Sequence, residues 1–412
     1  GRGGDAGRGV PRGNRFGERI GRDRSGAERS GHGVSPGGGF VSGPDWARLT
    51  DDQRFLAELV ATPSVSGTER AASEVFVRRA SALGLDSHID GVNNAIASRG
   101  PADAPVHLML LGHIDTVPGD IPVRVENGVL YGRGSVDAKG PLAAFLAAAA
   151  RVELPEGVRL TVAGAVGEES AASPGARHLL DRHRPSACII GEPSGWDGVT
   201  LGYKGRLLVT AEARCDHHHS AGEDASAGDL IASWWRLMAE RVEAFNQGRV
   251  RIFDQIQATI QGMSSGNDGL QQTARMVVGF RLPTGVSPEE WAQEVSFLAG
   301  EGIEFTFESM ELACATDMND PVVRALRCAI RHEGGTPHPK LKTGTADFNV
   351  VGPVWNCPIA AYGPGDSALD HTPQERLELA EFDRSIGVLV HAIDGLTREL
   401  VGESYKAAGG LL

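Results

Sequence analysis

Apolar residues recur every three or four positions over residues 46–60 and again over 69–83. That is the spacing of one helix face turned toward a core, so both segments are predicted as amphipathic helices. Thr68 stands where the second helix would need an N-terminal cap. The pattern then changes. Short unbroken apolar runs at 107–111, 160–166, 187–190 and 358–361 have the length of buried strands. An Ala-rich helical stretch, 141–152, separates the first two. Strands alternating with helices predict an α/β fold, a mixed sheet flanked by helices.

The middle of the chain carries a different order. Residues 207–213 read as strand, 226–246 as a long helix, 256–261 and 274–282 as two strands, 288–299 as helix and 303–312 as strand. This β-α-β-β-α-β succession is the ferredoxin-like plan. It interrupts the α/β pattern, which resumes with a helix at 321–333 and closes with another after His371. Thr372, Pro373 and Glu375 are spaced as N-cap, N1 and N3 of that last helix. The predicted organisation is a tail over 1–44, a main domain in two parts over 45–205 and 314–412, and an insertion over 206–313.

Composition narrows the class. The chain has 412 residues, 41% apolar and 23% charged, which suits a globular protein with a sizeable core. No run approaches the roughly 18 apolar residues of a membrane span. Five scattered cysteines, an odd number without C-x-x-C spacing, fit a reducing cytoplasm better than a disulfide scaffold. The net charge of −13 argues against a nucleic-acid partner for the folded part. Residues 1–33 differ: eight Arg and four acidic residues give +4, leaving the rest at −17. With isolated apolar side chains this Gly-rich tail is expected to be disordered, and no role is assigned to it. It lacks the aromatic residues that stacking on nucleic-acid bases would require, apart from Phe16.

The candidate chemistry gathers at the ends of the predicted strands, where open α/β sheets place their ligands. His113 and Asp115 follow the first run, two apart and so pointing to one side of extended chain. A carboxylate there can fix the tautomer of a metal-bound imidazole, or the pair can be a plain surface loop. Asp137, in the Gly-rich stretch ahead of the Ala-rich helix, serves either as a helix cap or as a carboxylate bridging two cations. Glu168 and Glu169 follow the second run, and Glu192 the third. Of two adjacent glutamates, one can ligate a metal while the other takes a proton from water. His371 precedes the last helix. Two imidazoles and several carboxylates at strand ends suffice for a two-metal site open to water.

The motifs GHIDTVP, LYGRGSVDAKG, VGEES, GEPS and DHTP, in that order, resemble the dinuclear zinc aminoacylase and carboxypeptidase family, which includes acetylornithine deacetylase and succinyl-diaminopimelate desuccinylase. The resemblance covers about residues 50–400. It implies a zinc-peptidase-like mixed sheet with the insertion as a lid that also forms a homodimer contact. It implies two Zn²⁺, or Co²⁺, bridged by Asp137, with His113 and Glu192 on one ion and Glu169 and His371 on the other. Glu168 would be the general base and Asp115 the partner of His113, and the Asp137–Ala138 peptide would be cis. In the lid, His218-His219-Ser220-Ala221 resembles the motif by which His219 stabilises the oxyanion in a neighbouring active site, although three successive histidines also suit an exposed turn. Asn267 and Arg281 match the spacing of lid residues that hold a substrate carboxylate, with Thr345 nearby; Arg281 at a strand end could equally be solvated.

Two departures refine this. The connection GDIPVRV after GHIDTVP is short, and with VDAKGPLA and KTGTADFN it is similar to the branch that releases lysine or ornithine from an amino-group carrier protein. That branch cuts the amide between the amino acid and a carrier glutamate γ-carboxyl. The second departure is the Arg/Gly tail, which matches nothing in the family. The expected function is therefore a cytoplasmic amide hydrolase of lysine or arginine biosynthesis. A small-molecule N-acyl amino acid deacylase is the alternative, and a catalytically silent metal- or peptide-binding relative is another.

Overall fold

The computed structural model describes residues 46–219 and 224–409. The Gly/Arg-rich tail and the Ser220-Ala221 part of the lid motif lie outside the described residues. Helix Asp51–Ala61 opens the fold, capped by Thr50 and Gln53 in a reciprocal box. The next helix, Arg70–Ala82, is not capped by Thr68 as its position predicts. Glu69 takes the N-cap place and its carboxylate accepts the Gly67 N–H at 2.7 Å, while the Thr68 hydroxyl turns away to Val65 O.

The main sheet runs in the order Asp86–Ile89, Ala95–Arg99, Val158–Ala165, Val106–His113, Ala187–Gly191, Ile359–Ala361, Gly198–Tyr203 and Cys314–Ala315, with His338–Lys342 also paired to Gly198–Tyr203. Its centre is parallel: Val106–His113 lies between Val158–Ala165 and Ala187–Gly191. The register sets His113 opposite Ala165 and Gly112 opposite Gly191, so all three strands end at one level. That alignment brings the segments carrying His113, Glu168-Glu169 and Glu192 to a single edge. Strands at the sheet margins run antiparallel, so the sheet is mixed.

Helix Lys139–Arg151 packs over this centre and is buried along almost its whole length, which its Ala-rich sequence allows. It starts two residues before Pro141, within the first turn, where a missing N–H leaves no bond unmade. The approach is close: a Cβ on Gly191 would meet Phe145 at 2.8 Å.

The insertion forms a second, four-stranded antiparallel sheet in the order Gln257–Asn267, Gln271–Leu282, Gly205–Asp216 and Ile303–Glu311. Helices Ala227–Asn246 and Pro288–Phe297 are capped by Ser226 and Ser287 and pack on it. Strand and helix order together are those of a ferredoxin-like unit. It has its own core, with Trp234, Phe280 and Trp291 buried.

One expected element is misplaced. No helix begins at Pro373; residues Arg376–Glu378 pair as a strand with Val129–Tyr131, and the long terminal helix is Leu379–Gly409. Glu375 cannot reach back to cap a helix, because its buried carboxylate points inward and is consumed by Arg133 and by the N–H groups of Val136 and Asp137. Among the described residues no helix is long and apolar enough to cross a membrane.

Candidate active site

The Asp137 carboxylate is the hub of the site. One oxygen lies 3.2 Å from His113 Nε2 and the other 3.0 Å from His371 Nε2. His113 is also 3.8 Å from Glu192, and His371 is 3.0 Å from Glu169. Four side chains from separate segments, 258 positions apart at the extremes, thus gather around the Asp137 carboxylate. The Asp137–Ala138 peptide is cis.

Asp115 organises the strand ends beneath them. Its backbone carbonyl lies 3.1 Å from His113 Nδ1, and a carboxylate oxygen 3.5 Å away. The same carboxylate accepts the N–H groups of Glu168 and Glu169, each at 3.1 Å, and the Ser66 hydroxyl at 2.7 Å. Two adjacent glutamates are pinned through one anion, and their side chains part: Glu169 turns to His371, whereas Glu168 makes no such contact and lines the cavity.

The electrostatics are those of a site with surplus negative charge. Burial pushes Glu192 up to about 7 against the pull of Lys342, 3.9 Å away. Burial also raises Glu168, reinforced by Glu192 and Asp347, and raises Glu169. Asp347, buried below, is pushed up to about 7 for the same reason. Hydrogen bonds to Asp137 and Glu169 lift His371 to about 10. Buried carboxylates that cannot all ionise, facing two imidazoles, are donors in search of cations. His113, Asp137 and Glu169 present ligand atoms within 4.8 Å of one another. Oxygen and imidazole donors without thiolate fit zinc, and also cobalt.

The cluster opens into a cavity of about 410 Å³ whose wall includes Arg281, Lys342 and Thr345. Arg281 donates to the Thr345 hydroxyl at 3.0 Å. The structure does not bring His219 or Asn267 there. Both line a separate cavity of about 610 Å³ in the inserted unit. Gln257 pairs with Arg281 and Asn267 with Gln272, so Asn267 sits at the far end of the hairpin. At about 3.3 Å per residue, that is roughly 30 Å from Arg281.

A model of the peptidase family M20/M25/M40 matches residues 109–395. The chain belongs to that family. Residues that the motif reading passed over in this M20 site are Ser66, Tyr203, Lys342, Asp347 and Glu375. Lys342 and Asp347 fell within the quoted KTGTADFN segment, but neither spacing nor residue type marks them as neighbours of Glu192. Among its relatives, the LysW-lysine hydrolase of Deinococcus radiodurans is 46% identical over 352 residues, covering 84% of this chain and 96% of that protein. The LysW-lysine/LysW-ornithine hydrolase of Saccharolobus islandicus is 28% identical over 349 residues, covering 84% of this chain and 95% of that one. Two solved structures share the fold: the M20 family metallo-carboxypeptidase Sso-CP2 of Sulfolobus solfataricus (TM-score 0.69, 17% identity, 85% of this chain and 100% of that one) and aminopeptidase PepT of Bacillus cereus (TM-score 0.68, 19% identity, 84% and 99%).

Proposed function

We propose that this protein is a zinc-dependent amide hydrolase that releases lysine or ornithine from the glutamate γ-carboxyl of an amino-group carrier protein in the cytoplasm. The observation that carries the substrate is the 46% identity to a LysW-lysine hydrolase along nearly its whole length. The site geometry supports the reaction class. His113 and Glu192 would hold one ion, Glu169 and His371 the other, with Asp137 shared between them. Two divalent ions held there supply the Lewis acidity that polarises an amide carbonyl and activates water.

The chain's own groups do the rest. Glu168 accepts a proton from the attacking water as its oxygen bonds to the amide carbon, then returns that proton to the leaving α-amino nitrogen. Asp115 keeps the His113 ring and both glutamates in place. Arg281, steadied by Thr345, offers its planar fork to the α-carboxylate of the amino acid. The short connection 119–127 leaves the acyl side open for a carrier protein.

His219 and Asn267 line the cavity of the inserted unit and not the one at Asp137 in their own chain, so in this reading they reach the site of a second copy through a dimer of the inserted units, residues 206–313. Glu168→Gln and His219→Ala should each be inactive alone. Mixed and reassociated, they should regain activity, because a hybrid dimer contains one site with both groups intact. Mixing that restores nothing would show that His219 acts within its own chain or not at all.

The substrate assignment is tested by incubating the zinc-loaded protein with carrier-lysine, carrier-ornithine and N-acetylornithine, following release by mass spectrometry. Carrier-linked substrates should have the higher kcat/KM, and their rates should fall with added salt, because rim charges that steer a protein partner are screened. A higher kcat/KM for N-acetylornithine would replace the carrier reading with the small-molecule deacylase.

A further inference from the structure

Two segments tie the inserted unit to the main sheet: one runs from Tyr203 into Gly205, the other from Glu311 to Cys314. One buried side chain holds both. Asn349, 2% exposed near the start of helix Asp347–Trp355, donates through Nδ2 to Lys204 O at 3.1 Å and to Leu312 O at 2.7 Å. Its Oδ1 accepts the Ala346 N–H at 3.0 Å. Two carbonyls at one end and an N–H at the other admit a single orientation of the amide, with its donors spent on the links. The links also meet each other: a Cβ on Gly205 would lie 2.6 Å from Glu311 O and 2.7 Å from Ala313 N.

The same crossing carries the base of Arg281. In the inserted sheet Arg281 lies between Gln257 and Arg206. Lys204, two residues before Arg206 and fully buried, donates through Nζ to Gln257 Oε1 at 3.0 Å, to Ile252 O at 3.1 Å and to Gln255 O. The Arg281 guanidinium in turn donates to Thr345, which follows strand His338–Lys342 of the main sheet and stands four residues ahead of Asn349. Arg281 and Thr345 line the cavity with Asp137 and Glu168. The guanidinium is thus supplied by the inserted unit, its contact by the main sheet, and Asn349 joins the two beside them. None of the residues proposed to hold metal lies on the two links or on 345–349, so this joint can govern the amino-acid end of the cavity without altering the ion end.

We propose that Asn349 is a positioning residue: by clamping both links it sets Arg281 where the guanidinium receives the α-carboxylate of the substrate. This rests on the hydrolase reading above and adds to it a residue that touches neither substrate nor metal. A side chain reaching across from one unit to another keeps its geometry only as well as the joint beneath it holds. A displacement of about 1 Å caused by a remote mutation can cost roughly a hundredfold in rate. Asn349→Asp isolates the effect. Ionised, the new side chain keeps the volume and the acceptor for the Ala346 N–H, but it has no donor for either link.

The test uses the zinc-loaded full chain and carrier protein charged with lysine or with cadaverine, which is lysine without its carboxylate. Wild type should favour lysine in kcat/KM by roughly a hundredfold or more. Asn349→Asp should cut that lysine-to-cadaverine ratio by about tenfold or more while zinc content stays unchanged. Asn349→Ala, measured alongside, should do the same without burying a charge. Backbone amide exchange over 203–206 and 311–314 should quicken in both variants by about tenfold or more, with strand Val106–His113 as in wild type. A general loss of packing would lower both substrates by one factor and leave the ratio unchanged, which overturns the inference, as does unaltered exchange in the links. If wild type releases lysine and cadaverine alike, Arg281 does not read the carboxylate and the inference falls with that role. If wild type releases neither, the hydrolase reading fails, and exchange then decides Asn349 separately: faster exchange in both links upholds the clamp, and unchanged exchange refutes it.

Discussion

Replacing Glu168 by Gln should lower turnover by about 10²–10⁴-fold, the usual worth of the positioned general base it is proposed to be. The amide keeps the volume of the carboxylate and can still hydrogen-bond water, but it cannot take a proton at neutral pH. The backbone contact to Asp115 is unaffected, because it is made by the Glu168 N–H and not by its side chain. Metal content should therefore match that of the unaltered protein, as measured by plasma mass spectrometry after desalting. Glu169→Gln is the matched control. Its carboxylate meets His371 at 3.0 Å, so its loss should release metal as well as activity. Equal metal loss in both variants, or an active Glu168→Gln enzyme, would reverse the roles given to these neighbours.

Glu375→Ala should be the most destabilising single change near the site. The carboxylate is buried, 2.8 Å from the Arg133 guanidinium, and accepts the N–H groups of Val136 at 3.0 Å and Asp137 at 3.2 Å. Removing it leaves a cation and two backbone donors unmatched in the interior. Breaking a buried pair in this way costs about 3–5 kcal/mol. Glu378, exposed on the same short strand, should cost no more than about 0.5 kcal/mol when changed to Ala. Urea unfolding of both variants checks the difference. The loop that Glu375 holds carries Asp137, so the Glu375→Ala protein should also retain less zinc. A variant with wild-type stability and full metal would show that the loop is held by other means.

Much of the scaffold was legible because it is locally encoded. The apolar runs at 107–111, 160–166 and 187–190 became the parallel strands at the sheet centre, since a run that long can satisfy its hydrogen bonds and bury both faces only in such a sheet. The lid order followed from alternation between periods of two and 3.6 residues. The expected clustering of His113, Asp137, Glu169, Glu192 and His371 around one site rested on family motifs as much as on spacing. Strand-end placement gave each a direction, but not a common target.

Local chemistry misled where a tertiary partner outcompeted it. Thr372-Pro373-Gln374-Glu375 has the residues of a helix start, yet the half-buried Arg133 and two N–H groups offer Glu375 more than a solvent-exposed cap could. Thr68 lost its cap position for a local reason, since its hydroxyl bonds Val65 O and Glu69 stands at the N-cap. From sequence by itself came the secondary elements, their alternation, the inserted unit and the donor types available for metal. Only the folded chain decided that Asn267 lies roughly 30 Å from Arg281 along one hairpin, and that Asp115 pins both glutamates. The reason is physical: sequence periodicity fixes which way a side chain leaves its own element, whereas its partners depend on sheet order and register between segments hundreds of residues apart.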